Sequence, residues 1–290
     1  MSKLYYGDSE VLKWYEEEDQ IMKAYYGDTL MFGEEGEEPT PIPNYLQFTA
    51  RNGAATIGMY GSATPNVSYS FDGTNWTTWD YSNLTIPSGS TVYMKGNNPK
   101  GFSTSTSIRK TFAMSGTIEA NGNIMSLLYD DNFEGQLTIP SNYCFNFLFS
   151  GCTSLTYAPE LPATTLANYC YNYMFKGCTS LTNAPQLLAT TLATYCYQFM
   201  FSGCTSLTYA PQLPATTLAS SCYRGMFNGC ANLNYIKMMA TDISASSCLL
   251  SWVQGVAASG TFVKNSAATW TTTGNDGVPS GWTIQYETPN

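Results

Sequence analysis

The stretch Cys170–Tyr195, CYNYMFKGCTSLTNAPQLLATTLATY, is one copy of a unit that recurs along the second half of the chain. Cysteines fall at Cys144, Cys170, Cys196, Cys222 and Cys248, and in a second series at Cys152, Cys178, Cys204 and Cys230. Every step in both series is 26 residues, and the two series hold all nine cysteines. Other columns keep the same period: Phe149, Phe175, Phe201 and Phe227; Leu155, Leu181, Leu207 and Leu233; Leu161, Leu187 and Leu213; Leu166, Leu192 and Leu218. A glycine precedes each cysteine of the second series, at Gly151, Gly177, Gly203 and Gly229, and recurs at Gly255.

A 26-residue unit cannot bury its own apolar face. Stacked units place like residues on like, and about three or more are needed for stability. The recurrent glycine is expected to supply a positive-φ turn. SLTYAPEL has the alternation of a strand, with Leu155 and Tyr157 on one side and Thr156 and Ala158 on the other. ANYCYNYMFKGC reads as a short helix, because Cys170, Met174 and Cys178 stand at i, i+4 and i+8. The cysteines are expected to be buried free thiols, since nine is odd, a ladder has no natural pairing, and CxxxxxxxC is not a metal-ligand spacing.

The pattern YCYxxMFxGCTSLTxAPxLPATTLA resembles the BspA-like leucine-rich repeats of bacterial surface proteins, in the form found in gut Bacteroidales and their phages. The likeness covers about Thr138 to Val256. It implies a short α/β solenoid whose concave face binds partners. If Leu155 and Tyr157 point inward, that face carries Thr156, Thr182, Thr208 and Asn234 together with Glu160, Gln186 and Gln212.

Upstream, YLQFTA, TIGMY, VSYSF, WTTWD, TVYMKG and RKTFAMSG are strand candidates separated by turn residues, and Asp72-Gly73 marks a hairpin. A small Ig-like sandwich or related β-fold is expected over 45–135. At the N-terminus LYYGDSEVL returns as AYYGDTLMF after 20 residues, each reading as strand, Gly-Asp turn and strand, with a helix-like acidic WYEEEDQIMK between them. Similar YGDT-type starts occur in phage structural proteins. Residues 1–33 therefore resemble a virion-attachment or oligomerisation segment, with Tyr5, Tyr6, Gly7, Asp8, Tyr25, Tyr26, Gly27 and Asp28 as its contact residues. Residues 34–44, acidic and Pro-rich, read as an extended linker. The repeats occupy 136–256, and 257–290 reads as a β cap over the last unit. The expected fold is mainly β with short helices.

Composition narrows function by exclusion. Charged residues are 11% of the chain, against about 25% in ordinary soluble domains. The net charge of −9 lies almost wholly in residues 1–44, where eleven acids face Lys3, Lys13 and Lys23. With no basic stripe, nucleic acid is not an expected partner. No run of about 20 apolar residues suggests a membrane span, and residues 1–19 lack the apolar core of a secretory signal. The chain has no histidine, which removes Ser-His-Asp and Cys-His catalysis and His-containing metal sites. Between Ser141 and Ile236 the only charged side chains are Glu160, Lys176 and Arg224, too few for a two-carboxylate glycosidase. Asp130 and Asp131 flank the repeats but are adjacent in sequence. No phosphate loop or dinucleotide fingerprint is present, so no cofactor or metal is expected.

These readings converge on a non-enzymatic phage virion protein, a head or tail fibre or a capsid decoration. Its expected partners are other virion proteins through the N-terminal segment, copies of itself as a dimer or trimer, and host-surface glycan or protein. The expected location is the virion surface. A bacterial BspA-like surface adhesin and a glycan-degrading enzyme are the alternatives.

Overall fold

The computed structural model describes residues 42–288 and, before them, the strands of a separate N-terminal unit. It is mainly β with one short helix. No helix among the described residues is long and apolar enough to cross a membrane.

The N-terminal unit, Met1–Ile42, is made of hairpins. Strands β1 (Tyr5–Tyr6) and β2 (Ser9–Glu10) pair antiparallel, as do β4 (Gln20–Tyr26) and β5 (Thr29–Phe32), so each YYGD motif links two paired strands as expected. The acidic stretch between them is no helix. Strand β3 (Lys13–Glu17) pairs antiparallel with β4, Glu17 facing Gln20. The helix propensity of the Glu run is overridden by the flanking Trp14, Tyr15 and Ile21, residue types that favour strands. The turn positions Gly7, Asp8, Gly27 and Asp28 and the linker residues 33–41 lie outside the described residues.

Residues 43–290 form the second unit, with one continuous core running from Tyr45 to Trp282. The boundaries drawn in sequence at 135/136 and 256/257 therefore fall inside a shared core. Its head is a single sheet in the order β12-β11-β6-β10-β7-β8, with β9 on β6: β6 (Leu46–Tyr60), β7 (Ser68–Ser70), β8 (Thr77–Thr78), β9 (Leu84–Ile86), β10 (Thr91–Lys95), β11 (Thr111–Asn121) and β12 (Leu155–Tyr157). The two facing sheets of an Ig-like sandwich are replaced by one hydrogen-bonded sheet. The long strand β6 makes this possible by pairing with β10 through Leu46–Thr49 and with β9 through Ala55–Ile57. Between those segments Asn52 and Gly53 take positive φ opposite a register shift in β11, the geometry of a bulge that bends a strand. The Asp72-Gly73 hairpin forms as expected between β7 and β8, with the Asp72 carboxylate accepting the N–H groups of Thr74 and Asn75. Helix α1 (Ser126–Tyr129) leads to the first repeat, whose strand β12 pairs parallel with β11.

The repeats stack in register. Phe112 of the head sheet starts a column continued by Phe149, Phe175, Phe201 and Phe227, with ring centroids 5.1, 5.4, 5.6 and 5.8 Å apart and near-parallel planes. Phe145, Tyr171, Tyr197, Tyr223 and Trp252 form a second buried column. All nine thiols are buried and free. In the second series each Sγ–H donates to a phenylalanine carbonyl of the preceding layer, as Cys178 does to Phe149 at 3.1 Å and Cys204 to Phe175 at 3.1 Å. A small apolar side chain with one weak donor suits that position.

The expected helix over 167–178 is not formed. The segment is a ribbon of successive turns with alternating hydrogen bonds. The N–H groups of Cys170, Asn172, Met174, Lys176 and Cys178 close turns onto the carbonyls three residues back. Those of Tyr169, Tyr171, Tyr173, Phe175 and Gly177 donate to Thr194, Cys196, Gln198, Met200 and Ser202 of the next unit, at 2.8–3.1 Å. Positive φ recurs every fourth residue, at Tyr169 (60°), Tyr173 (57°) and Gly177 (73°), the third place of every other turn, as a type II turn requires. A helix and a four-residue turn cycle both bring i and i+4 to one side. Cys170, Met174 and Cys178 are accordingly all buried without being helical.

Tyrosine at φ near +60° costs about 1–2 kcal/mol. The rings recover it. Tyr169 lies between Tyr143 and Tyr195, each at 4.5 Å with planes within 10°, and such contacts contribute about 0.5–1.5 kcal/mol each. A parallel row runs Phe147, Tyr173, Phe199, with the guanidinium of Arg109 over its first ring at 4.2 Å. Both rows end at the fourth unit, where Ser221 and Gly225 take the positive-φ positions and the Phe199 ring lies over the bare backbone of Gly225.

Beyond Val256 the stacking continues. Strands β13 (Tyr235–Met238), β14 (Thr261–Asn265) and β15 (Thr283–Glu287) form a parallel three-stranded sheet. The indoles of Trp252, Trp270 and Trp282 donate to the carbonyls of Gly277, Ala240 and Ala257. The C-terminal segment thus adds further layers rather than lying across the last unit, and its final strand has both faces solvent-exposed.

Candidate functional site

The repeat unit determines what reaches the surface on the strand side. After Leu155 goes into the core, a strand only three residues long runs into Ala158-Pro159. The chain bends there before alternation is established. Tyr157 is consequently exposed instead of packed inward, and Tyr209 of the equivalent column is 63% exposed.

Of the two polar columns expected on this face, one lines a concavity and the other does not. Thr156 is half-buried and its hydroxyl donates to the Ile118 carbonyl at 3.0 Å. The Thr182 hydroxyl donates to the Thr156 carbonyl, 3.1 Å away. Thr208 and Asn234 are exposed, joined by an N–H to carbonyl bond of 3.0 Å. This column is part of the ladder between units. Glu160, Gln186 and Gln212 are exposed and do come together. They line two contiguous depressions of about 400 and 330 Å³ that share Gln186 and Leu188, walled by Pro159, Pro162, Pro185 and Pro214.

Leu188, 46% exposed, forms the apolar middle of this groove. The sequence carries a signal for it: Leu188 interrupts a proline column, Pro162 and Pro214 standing 26 residues to either side. The groove is a row of one carboxylate and two carboxamides set at unit spacing over a proline and leucine floor. It offers donors and acceptors to hydroxyl or amide groups and an apolar strip to a ring or side chain. Glu160 accepts a hydrogen bond from the Asn44 side chain at 3.0 Å, which fixes one end of the row to the head sheet.

A second polar cluster lies within the head, just ahead of the first repeat. Lys95 Nζ lies 2.9 Å from Asp130 and 2.7 Å from Asp131, over the Trp76 ring at 4.5 Å. The Tyr45 hydroxyl donates to Asp131 at 2.5 Å. Hydrogen bonds from Lys95 and then Tyr45 hold the Asp131 carboxyl below its ordinary range, while burial and then Asp131 push the Tyr45 phenol up. Asp130 sits at φ 51°, ψ −130°, a conformation costing about 1–3 kcal/mol outside glycine, held by Lys95 and by its own N–H on Gly96. Both carboxylates are engaged by one lysine rather than facing each other across a cleft. The cluster is a clamp.

Of the expected attachment residues, Tyr5 and Tyr6 lie in β1 and Tyr25 and Tyr26 in β4. No family model, curated protein or solved structure matches this chain.

Proposed function

We propose that the chain is a phage virion protein, a head or tail fibre or a capsid decoration, whose stacked units form a leucine-rich-type solenoid of the BspA-like kind. The N-terminal unit attaches the protein to the particle, and the groove along Glu160, Gln186, Leu188 and Gln212 engages host-surface glycan or protein. The observation that carries this reading is the groove's continuity across three successive units, each contributing the same column. A repeated array of equivalent polar positions, one carboxylate and two carboxamides, suits a repetitive ligand, of which surface glycan is the prime example. The low charge of the chain, with its hydroxyl- and amide-rich surface, favours recognition by hydrogen bonding and stacking over ion pairing.

Two measurements test it. Mass spectrometry of purified particles should find the protein, and its clean absence sinks the virion reading. Adsorption of the purified protein to host cells should fall at least tenfold in Gln186→Ala/Leu188→Asp/Gln212→Ala. Undiminished adsorption by that variant, with its fold intact by circular dichroism, removes the groove from the mechanism.

A further inference from the structure

The two ends of the stack are finished differently. At the head, β11 covers the first unit, donating Phe112 N–H to Leu148 and Ile118 N–H to Ser154. At the other end β15 pairs only with β14 among the described residues. The bonds from Thr283 N–H to Gly260 and from Ser266 N–H to Glu287 show that Thr283 and Glu287 turn their backbone groups inward. By the alternation of a parallel ladder Gln285 does the same. The N–H and C=O of Ile284 and Tyr286 therefore face outward. The strand, TIQYE, has no proline or bulge, and its apolar side chains are 38% exposed at Ile284 and 63% at Tyr286. Its single charge, Glu287, is engaged by Lys237 at 2.6 Å. Among the described residues, no proline, bulge or unpaired charge blunts this edge.

We infer that β15 is a self-pairing edge: two copies of the chain join tail to tail by antiparallel addition of β15 to β15, centred on Gln285. Hydrogen-bond parity selects this register. With Gln285 opposite its symmetry mate, Ile284 faces Tyr286 of the other copy. Both residues have outward backbone groups, so each of the two Ile284–Tyr286 pairs exchanges both N–H···O bonds. Side-chain chemistry favours the same register. It sets a β-branched residue against an aromatic one twice, a favourable cross-strand pair, and it places Glu287 opposite Thr283 instead of opposite another Glu287. The contact is isologous and closes at two copies, so it yields a discrete dimer and no open filament. This surface shares no residue with the groove or with the N-terminal unit.

The test is site-directed cross-linking of the full chain. In the central non-hydrogen-bonded pair the Cα atoms approach to about 4.5 Å, within disulfide reach. Gln285→Cys is therefore expected to give a covalent dimer under mild oxidation, seen on a non-reducing gel, against a low background because all nine native thiols are buried. Thr283→Cys, whose partner in this register is Glu287, should cross-link at least tenfold more slowly. Adding Ile284→Lys and Tyr286→Lys, which sets lysine against lysine at both pairs, should abolish the Gln285→Cys dimer while leaving the thermal transition unchanged. The proposal is overturned if Gln285→Cys stays monomeric across the micromolar to millimolar range. It is equally overturned if Thr283→Cys cross-links as fast or if the double lysine change leaves the cross-link intact. Assembly through the N-terminal unit alone would raise the mass in light scattering without any bond at residue 285, so the two modes are distinguishable.

Discussion

The buried phenyl column makes a quantitative prediction about coupling between layers. Phe201 is fully buried between Phe175 at 5.6 Å and Phe227 at 5.8 Å, with interplanar angles of 4° and 5°. Phe201→Ala removes a buried aromatic from a site whose neighbours are fixed above and below by cross-unit hydrogen bonds. Collapse into the cavity is restricted, which puts the cost near the top of the usual range, about 4–5 kcal/mol. The distinctive expectation concerns pairs. A double-mutant cycle of Phe175→Ala with Phe201→Ala should show a coupling of about 0.5–1.5 kcal/mol, the worth of one ring–ring contact. The cycle of Phe149→Ala with Phe201→Ala, two layers apart, should be additive within about 0.5 kcal/mol. Urea titration followed by tryptophan fluorescence supplies all the free energies. If the next-nearest pair couples as strongly as the adjacent pair, stability is not transmitted layer by layer and the reasoning fails.

Three further outcomes follow from the same geometry. Gly177→Ala should cost about 1–2 kcal/mol through its φ of 73° alone, since an added Cβ meets nothing nearer than 3.9 Å; a neutral result in calorimetry would show that the ribbon relaxes freely. Gly225→Ala should cost more, because its Cβ would fall 2.1 Å from the Phe199 ring, and the excess should vanish in a Phe199→Ala background. Stability should fall as pH rises above 9. Burial pushes the thiols of Cys144, Cys222 and Cys230 from 9.0 to about 12, so the unfolded chain releases those protons first, and by pH 10 the three withdraw about 4 kcal/mol together. Burial raises the other six thiols and Tyr171, Tyr197 and Tyr223 in the same direction. Lys110 and Lys264, lowered by burial, act oppositely but are only two groups. A melting temperature flat from pH 8 to about pH 10.5 would contradict this.

Period and burial were legible in the sequence because stacking in register is written as repetition: the Phe, Leu and Cys columns became the core. Local conformation was less so. The spacing of Cys170, Met174 and Cys178 satisfies both a helix and a four-residue turn cycle, and the discriminating fact, positive φ at Tyr169 and Tyr173, contradicts the preference of tyrosine. Rings of the adjacent units offset that backbone's cost, a tertiary effect no local window contains. Tyr157 departs from the expected alternation for a local reason: alternation presumes a strand longer than the one Pro159 permits. In the candidate site Glu160, Gln186 and Gln212 were found as a column, whereas Leu188 escaped because an exposed leucine in a leucine-rich unit reads as core.

The alternating hydrogen bonds of the turn ribbon give the stack a direction. At each junction five N–H groups of one unit reach into five carbonyls of the next, always the same way, as from Tyr169–Gly177 to Thr194–Ser202. Cutting the ribbon between any two units leaves unlike wounds: a row of orphaned donors on one piece and a row of acceptors on the other. The two ends of the stack meet this with opposite chemistry. The head supplies amide donors, Phe102, Phe112 and Ile118 among them, while the tail supplies acceptors, the Asn275 carbonyl for Val253 and the Asp276 carboxylate, 2.6 Å from the N–H of Ser251. Orphaned donors are the harder to satisfy, since a carbonyl has two lone pairs to offer and an N–H a single proton. Peeling from the tail and peeling from the head are therefore different processes, and a duplicated unit can be inserted within the column without rebuilding either terminus.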